Sequence, residues 1–542
     1  MLEAKQLGIP VLDLVIIAIY MIGILIAGIL SVRKLKLTSQ VYFLAGRSLS
    51  WGYVGAALFA ANISTIHMVG LAASGYTDGL VWGNFEWMAT FTLILLGLVF
   101  APFYFKSKIS TLPEFLEKRY SPGSRMFLAF MAIMGALFIH IGMSLYAGAA
   151  VFKQFFGIDV VTSILIISVI TAIYTVLGGL KAVVVTETIQ TVIFVLGAAT
   201  LTIFAILALP GHGVHSLAQL KAVVKPDQLS MLQAHSSAGL PWYAVFLGYP
   251  ILGVWYWCTD QTIVQRVLGA RTQMDAQRGP LLAGLFKITP VFIMVFPGVL
   301  GYVLFKDIIG ADSNQTLPVL ILQLVPTGIR GLISAALLAA LMSTIAAALN
   351  STGTLVAVDI IKRVKPEISD EKQVRIGRIS AVAVMLLAMA WSTQGGRYSS
   401  IFEAINTIAA YLAPPITTVF LWGVFWRRGT KQAALTTLIM GFSLGVISFL
   451  IDLPVIGAEK IITHKLGIPF MMQAWWMFCL CSTIFVVVSL LTPKPDVQSI
   501  EGVTWRNPLQ VVAEGKLMGI GDPRILAGFL LIAMIVLYYI FR

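Results

Sequence analysis

Charge is what this chain has least of. Asp, Glu, Lys and Arg make up 11% of its 542 residues, less than half the roughly 25% typical of soluble domains, which excludes an ordinary water-facing surface. Cysteine is scarce as well. Cys258, Cys479 and Cys481 build no disulfide framework, and the Cys479-x-Cys481 pair lies in an apolar run, where free thiols are the expected reading. Long polar stretches are missing: those near 209–241 and 493–524 are too short to bury a core of their own, so no soluble domain is expected. No H-E-x-x-H or paired-Asp motif occurs among the six histidines. The one close pair, His212 and His215, sits in a Pro/Gly-containing loop, and an intramembrane enzyme is not expected.

What the chain has instead is apolar length. It is 58% hydrophobic, with a mean hydropathy of +0.90. Fourteen apolar runs are legible, roughly 11–31, 51–73, 82–105, 126–150, 159–177, 185–208, 242–262, 280–304, 329–358, 377–396, 401–425, 432–451, 470–492 and 525–541. Each can cross about 30 Å of hydrocarbon as a helix, whereas a barrel would show alternating segments of about ten residues. The expected fold class is therefore an all-α polytopic membrane protein, a single transmembrane domain over 1–542 whose partner is the lipid bilayer of an inner or plasma membrane. The net charge of +13 calls for no nucleic acid. With the N-terminus outside, 26 Lys and Arg fall in cytoplasmic loops and 10 outside, with Lys287 left in the membrane. That split follows the positive-inside rule and places both termini outside the cytoplasm. The first run lacks a cleavage site and carries its positive charge behind it, unlike a signal peptide.

Polar residues interrupt these runs. "AANISTIHM" at 60–68 puts Asn62, Ser64, Thr65 and His67 within six residues. Such side chains compete for backbone bonds, and transporters use unwound turns at mid-membrane to offer carbonyls to an ion; helix–helix packing is the alternative. Ser343, Thr344, Asn350, Ser351 and Thr352 recur along one later run. Glu86 and Lys287 are intramembrane charges of opposite sign, "VWYWCTD" at 254–260 gathers Trp255, Tyr256 and Trp257, and Asn406 precedes the helix-breaking Pro414-Pro415. Aromatic faces, amides and charges suit a polyol, and hydroxyls suit sodium.

The stretches "YFLAGRSLSW", "AANIS", "FEWMA", "LPEFLEKRY", "YTVLGGLKAVVVTETIQ", "WYWCTDQTIVQR", "FKITPVFIMVFPG" and "LNSTGTLVAVDI" occur in this order. On these collinear motifs the chain resembles the solute:sodium symporters, and within them the sodium/glucose and sodium/galactose cotransporters. The resemblance implies fourteen helices around a LeuT-like inverted five-plus-five repeat, with core repeats at about 51–208 and 242–425 and peripheral helices at about 11–31, 432–451, 470–492 and 525–541. It implies co-transported sodium held by carbonyls of Ala60, Ile63 and Ala340 and hydroxyls of Ser343 and Thr344. A sugar would meet Asn62, His67, Glu86, Tyr256, Trp257, Lys287 and Asn406. The gates would be Leu71, Phe85 and Phe402, with Tyr256 as the inner one.

The implied function is sodium-driven uptake of a hexose by alternating access. Departures from the family pattern matter: Asn406 stands in place of Gln, Gly253 in place of a polar residue, and Glu187 in place of Asp. Ala346 and Ala347 stand where relatives with a second sodium site carry hydroxyls, so one sodium per sugar is expected. An inositol, sialic acid or carboxylate symporter and a sugar-gated sensor or channel are the alternatives. These residues specify neither the sugar nor an oligomeric state.

Overall fold

The structure, a computed structural model, describes residues 10–234, 239–393, 401–452, 461–505 and 517–542, except for the side chains of 154–156, 401–405 and 464. Among these residues the architecture is all-helical, with one isolated bridge between Leu49 and Ala270. The principal helices are α1 (Val11–Val32), α2 (Trp51–Asn62), α3 (Thr65–Thr77), α4 (Asn84–Leu95), α5 (Pro122–Gly135), α6 (Val160–Ala208), α7 (Trp242–Gly253), α8 (Gln261–Leu268) and α9 (Gln273–Phe286). They are followed by α10 (Phe296–Ile309), α11 (Ile329–Thr354), α12 (Asp370–Ser392), α13 (Ile401–Leu412), α14 (Pro414–Phe425), α15 (Lys431–Ile451), α16 (Phe470–Leu491) and α17 (Pro523–Ile540). Their starts carry ordinary chemistry: Ser121, Thr272 and Thr430 each accept a hydrogen bond from the backbone three residues on, as side-chain N-caps do.

By length and apolarity, ten helices among the described residues can cross a membrane, or twelve if each of two bent pairs is one crossing. The fourteen crossings expected from the sequence are not reproduced one for one, and two elements account for the difference. α6 is a single 49-residue element, which at about 1.5 Å per residue would span ~74 Å, more than twice the hydrocarbon thickness. It is broken at Gly179, where φ is 60° and ψ −156°. A Cβ on Gly28 would sit 2.9 Å from Tyr174 Cβ and 3.3 Å from Thr186 Cγ2. Residues twelve apart on a straight helix are ~18 Å apart, so the chain doubles back at Gly179 and α6 is two crossings. Trp242–Thr259 is the other element. Its Trp and Tyr residues dilute its hydropathy, and its last third, Val254–Thr259, is π-helical.

Enclosure separates centre from rim. In α11 and the turn after it, 94% of the most apolar window is buried, against 28% in each of α1, α15, α16 and α17. α11 is thus the axis, buried all round as only a central helix is. The loops between crossings gather on one face: Arg47 reaches the Ile109 carbonyl at 2.9 Å, Leu49 N–H bonds the Gly269 carbonyl at 3.1 Å, and Ser39 N–H bonds Asp370 at 3.2 Å.

Candidate functional site

The stretch Ala60–Met68 is a break between helices. α2 ends at Asn62 and α3 begins at Thr65, bent by 62° to each other. Ile63 and Ser64 between them are extended, with φ/ψ of −75°/120° and −120°/170°. Ser64 caps α3 in a reciprocal box with His67: the Ser64 hydroxyl lies 3.0 Å from His67 Nδ1, and the Ser64 N–H donates to that nitrogen at 3.3 Å. The polar residues that made this run look unfit for lipid are the ones that terminate one helix and start the next.

An unwound turn leaves carbonyls without helical partners, and here α11 supplies them. Ser343 Oγ lies 2.8 Å from the Ala60 carbonyl and 2.9 Å from that of Ala340, with one proton to share between them. Thr344 Oγ1 lies 3.2 Å from the Ala61 carbonyl, 3.1 Å from Ile63 and 3.2 Å from Ala340. Ala60, Ile63, Ala340, Ser343 and Thr344 therefore converge, and Ala61 joins them. A void of about 10 Å³ lies against Ala60, Ile63, Ala340 and Ser343 and also against the apolar side chains of Phe59, Phe194 and Ala339, near the smallest volume that admits one water. Hydroxyl and carbonyl oxygens are the hard donors that a small hard cation requires.

On the other side of the break lies a cavity of about 120 Å³, roughly ten water-sized spaces at ~10–15 Å³ each. That is the scale of a single ring with its hydroxyls. Asn62, His67, Glu86, Tyr256, Trp257, Lys287 and Asn406 all line it, with Phe85 and Gly253. The Lys287 ammonium at the end of α9 donates to both Glu86 Oε2 and Asn62 Oδ1 and lies 5.4 Å from the centroid of the Trp257 ring. All three polar side chains are buried, and a buried lysine survives in such a place because it is paired.

Aromatic walls complete the cavity. Tyr256 and Trp257 come from the π-helical turn Val254–Thr259, a wide turn of the kind that recurs at functional sites. It ends at Asp260, whose φ/ψ of −80°/124° breaks the crossing between α7 and α8. Phe85 stacks on Trp82 at 5.7 Å between centroids and on Phe470 at 6.5 Å. Leu71 is fully buried on α3 and is not part of the cavity wall; the Phe402 side chain falls outside the described residues. The bend expected at Pro414-Pro415 is present, 52° between Asn406–Leu412 and α14.

Several lining residues were not singled out from the sequence. His140 comes from the π-helical turn Ala136–Met143, lies 3.1 Å from Asp260 Oδ2 and has its ring 6.0 Å from that of Tyr256. Ser144 and Tyr249 also line the cavity, as does Thr344, which the sequence had marked for sodium. His140 sits in an apolar run like Lys287 does, and that was the available signal. Asn350, Ser351 and Thr352 are buried along α11 but are not in the lining. Gly253 is boxed in: a Cβ there would lie 2.6 Å from Thr92 Cγ2 and 2.8 Å from Tyr249 Cε1.

Glu187 forms a second buried ion pair. Both of its oxygens accept from Arg266 of α8, which also donates to the Thr262 carbonyl. Neither side chain is exposed at all, and neither lines the cavity.

A multi-pass helical protein with broken helices meeting at a polar cavity has the architecture of a secondary transporter. A family model described as "Sodium:solute symporter family" matches residues 42–441, and the chain belongs to that family. It is 36% identical over 549 residues to a sodium/mannose cotransporter of Bos taurus, covering 94% of this chain and 92% of the relative. It is 34% identical to a sodium/myo-inositol cotransporter of Homo sapiens, covering 93% and 76%, and 31% identical to sodium/glucose cotransporter 1 of Oryctolagus cuniculus, covering 90% and 80%. The fold matches a Na+-coupled sialic acid symporter in a substrate-bound outward-open state (TM-score 0.76, 20% identity, 90% of this chain and 99% of that one). It also matches Mhp1, a nucleobase-cation-symport-1 family transporter (TM-score 0.54, 15% identity, 85% and 97%). The fold is LeuT-like, and the protein is a sodium:solute symporter in a membrane rather than an enzyme, with sodium as the co-transported ion.

Proposed function

We propose that the chain takes up a neutral sugar or cyclitol by alternating access, driven by one inward-moving sodium per molecule. The observation that carries this reading is the Lys287–Glu86–Asn62 cluster facing a ring-sized cavity beside Tyr256 and Trp257. A hydroxyl both donates and accepts, so it can enter this cluster by accepting from Lys287 and donating to Glu86 or Asn62 while a ring face rests on an aromatic side chain. A carboxylate solute is served worse, because the ammonium it would need is already neutralised by Glu86. Relatives named for mannose, myo-inositol and glucose transport support a polyol and leave a hexose as the first candidate.

Coupling follows from shared residues. The backbone of 60–63 faces Ser343 and Thr344, while the Asn62 side chain bonds Lys287. Sodium held by the carbonyls of Ala60, Ile63 and Ala340 and the hydroxyls of Ser343 and Thr344 fixes the break, and the fixed break presents Asn62 and His67 to the solute. Phe85, Leu71 and Phe402 serve as the outer gate and Tyr256 as the inner one, with Asn406 completing the solute site. One ion moving across ~100 mV supplies about 2.3 kcal/mol, and a tenfold gradient adds about 1.4 kcal/mol. Together they support accumulation of roughly several hundred-fold. The stoichiometry is supported by Ala346 and Ala347, which offer no side-chain oxygen, and by Glu187, which is committed to Arg266.

The same reading treats 1–542 as one transmembrane domain with core repeats at about 51–208 and 242–425. Its support is that the first crossing of each repeat is broken beside the cavity, at Ile63–Ser64 and at Asp260, as inverted repeats require. Low enclosure of α1, α15, α16 and α17 fits peripheral helices. The charge split supports an inner or plasma membrane with both termini outside. Uptake of radiolabelled mannose, glucose, galactose and myo-inositol into proteoliposomes, with and without an inward sodium gradient, tests the proposal; uptake of none of them, or uptake indifferent to sodium, overturns it.

A further inference from the structure

A groove of about 680 Å³ opens where the start of α2, α9 from Arg278 to Leu285 and the first half of α17 meet, and it shares no lining residue with the solute cavity. Its wall is apolar: Trp51, Leu282, Leu285, Leu526 and Phe529. Several of these are open to the surroundings, with Leu285 50% and Phe529 61% exposed. All three helices begin on the face where the basic loops gather, since Leu49 and Arg271 pair backbones there and Trp51 N–H bonds Asp275 Oδ1 at 2.9 Å. The groove therefore runs from the headgroup layer of that face into the hydrocarbon, with an interfacial tryptophan at its mouth.

Among the described lining residues, the cation at that mouth is Arg278. Several other guanidiniums on this face are engaged: Arg119 donates to the carbonyls of Gly423, Trp426 and Gly429, Arg125 pairs with Asp359 and Glu117, Arg271 with Asp275 and Arg524 with Asp522. Arg278 differs. Among the described residues it has no carboxylate within ion-pair distance, and its Nε donates to the Gly521 carbonyl at 2.7 Å. That bond aims the rest of the fork, which packs against Gly521 so closely that a Cβ there would sit 2.7 Å from Arg278 Nη2 and push the fork aside. An oriented guanidinium above an apolar groove is complementary to a phosphodiester that carries an acyl chain.

We propose that this groove binds an anionic phospholipid of the leaflet on the basic face, with the headgroup phosphate on Arg278 and an acyl chain along Leu282, Leu285 and Phe529. The lipid joins α2, which leads into the broken segment, to α9, which ends at Lys287, and to α17. Occupancy thus stabilises the packing of the two helices that carry the solute cluster.

The test is native mass spectrometry of the full-length protein in detergent, titrated with palmitoyl-oleoyl phosphatidylglycerol, with the phosphatidylcholine of the same chains, and with inorganic phosphate, alongside thermal unfolding. The wild type is expected to retain phosphatidylglycerol over phosphatidylcholine and to gain melting temperature from it, with no gain from phosphate. Arg278→Gln should lower the preference about tenfold, the factor carried by about 1.4 kcal/mol, and Gly521→Val should do the same by displacing the fork. Leu285→Trp, at an exposed position where folding is not at risk, should block both lipids by filling the groove. Equal retention of the two lipids by the wild type, stabilisation by phosphate alone, or a Leu285→Trp variant that binds as the wild type does would overturn the assignment.

Discussion

Two of the buried ion pairs among the described residues, Lys287–Glu86 and Glu187–Arg266, differ in what lies beside them. Lys287–Glu86 borders a cavity, shares its ammonium with Asn62 and faces Trp257. Glu187–Arg266 lines none of the cavities described among these residues, and Arg266 spends a further donor on the Thr262 carbonyl in its own helix. Burial and charge are alike in the two; openness is not. A pair that borders a cavity can exchange partners with a solute hydroxyl, whereas an enclosed pair can only hold helices together. Intramembrane charge by itself therefore does not identify a transport site.

The comparison is broken most sharply by removing one partner from each pair. Lys287→Ala should abolish solute uptake while leaving expression and size-exclusion behaviour intact, because cavity water can reach the Glu86 it abandons. Normal uptake by this variant would remove Lys287 from the site. Arg266→Ala should do the reverse. It strands a carboxylate without water, and breaking a buried pair costs about 3–5 kcal/mol, to be read as lost thermal stability and yield. Replacing both partners, Glu187→Leu with Arg266→Met, should recover much of that stability, whereas Glu86→Leu with Lys287→Met should remain inactive in transport. A double replacement at 187 and 266 that folds but cannot transport would mean that the enclosed pair also takes part in the cycle.

The two sides of the helix break can be separated next. Thr344→Ala removes a hydroxyl that faces three carbonyls and should raise the sodium concentration for half-maximal uptake by about tenfold, as loss of about 1.4 kcal/mol implies. His67→Ala should change apparent solute affinity with little effect on sodium dependence; identical sodium curves for the two variants would contradict the division. The smallest effect is expected from Asn406→Gln, which adds one methylene in the cavity wall and should shift preference among hexoses and myo-inositol by a few-fold in competition assays.

Much of this site was legible in the sequence because lipid leaves polar residues few reasons to be in a span. Asn62, Glu86 and Lys287 stood out against apolar neighbours and proved to be joined. Composition alone could not tell which polar groups share a cavity. Glu187 and Arg266 are as conspicuous as the solute cluster, and only their enclosure separates them. Gly253, noted as missing a polar side chain, turns out to have no room for one against Thr92 and Tyr249. The crossing count was obscured for another physical reason: apolar composition does not mark where a helix folds back, and the single residue that does so in α6 is Gly179. His140 went unnoticed because one histidine in a hydrophobic run has no partner in sequence; its partner, Asp260, is 120 residues away.

The central claim is that the break at 60–64 joins a sodium site to a solute site. Linkage makes it directly measurable: if sodium raises solute affinity by some factor, solute must raise sodium affinity by the same factor. Equilibrium binding of whichever labelled sugar or cyclitol is transported, measured on the purified protein in nanodiscs with sodium and then with potassium in its place, gives one factor, and sodium titrations with and without that solute give the other. The account predicts equal factors well above one in the wild type, falling toward one in Thr344→Ala. Solute binding that is as tight in potassium as in sodium would contradict it.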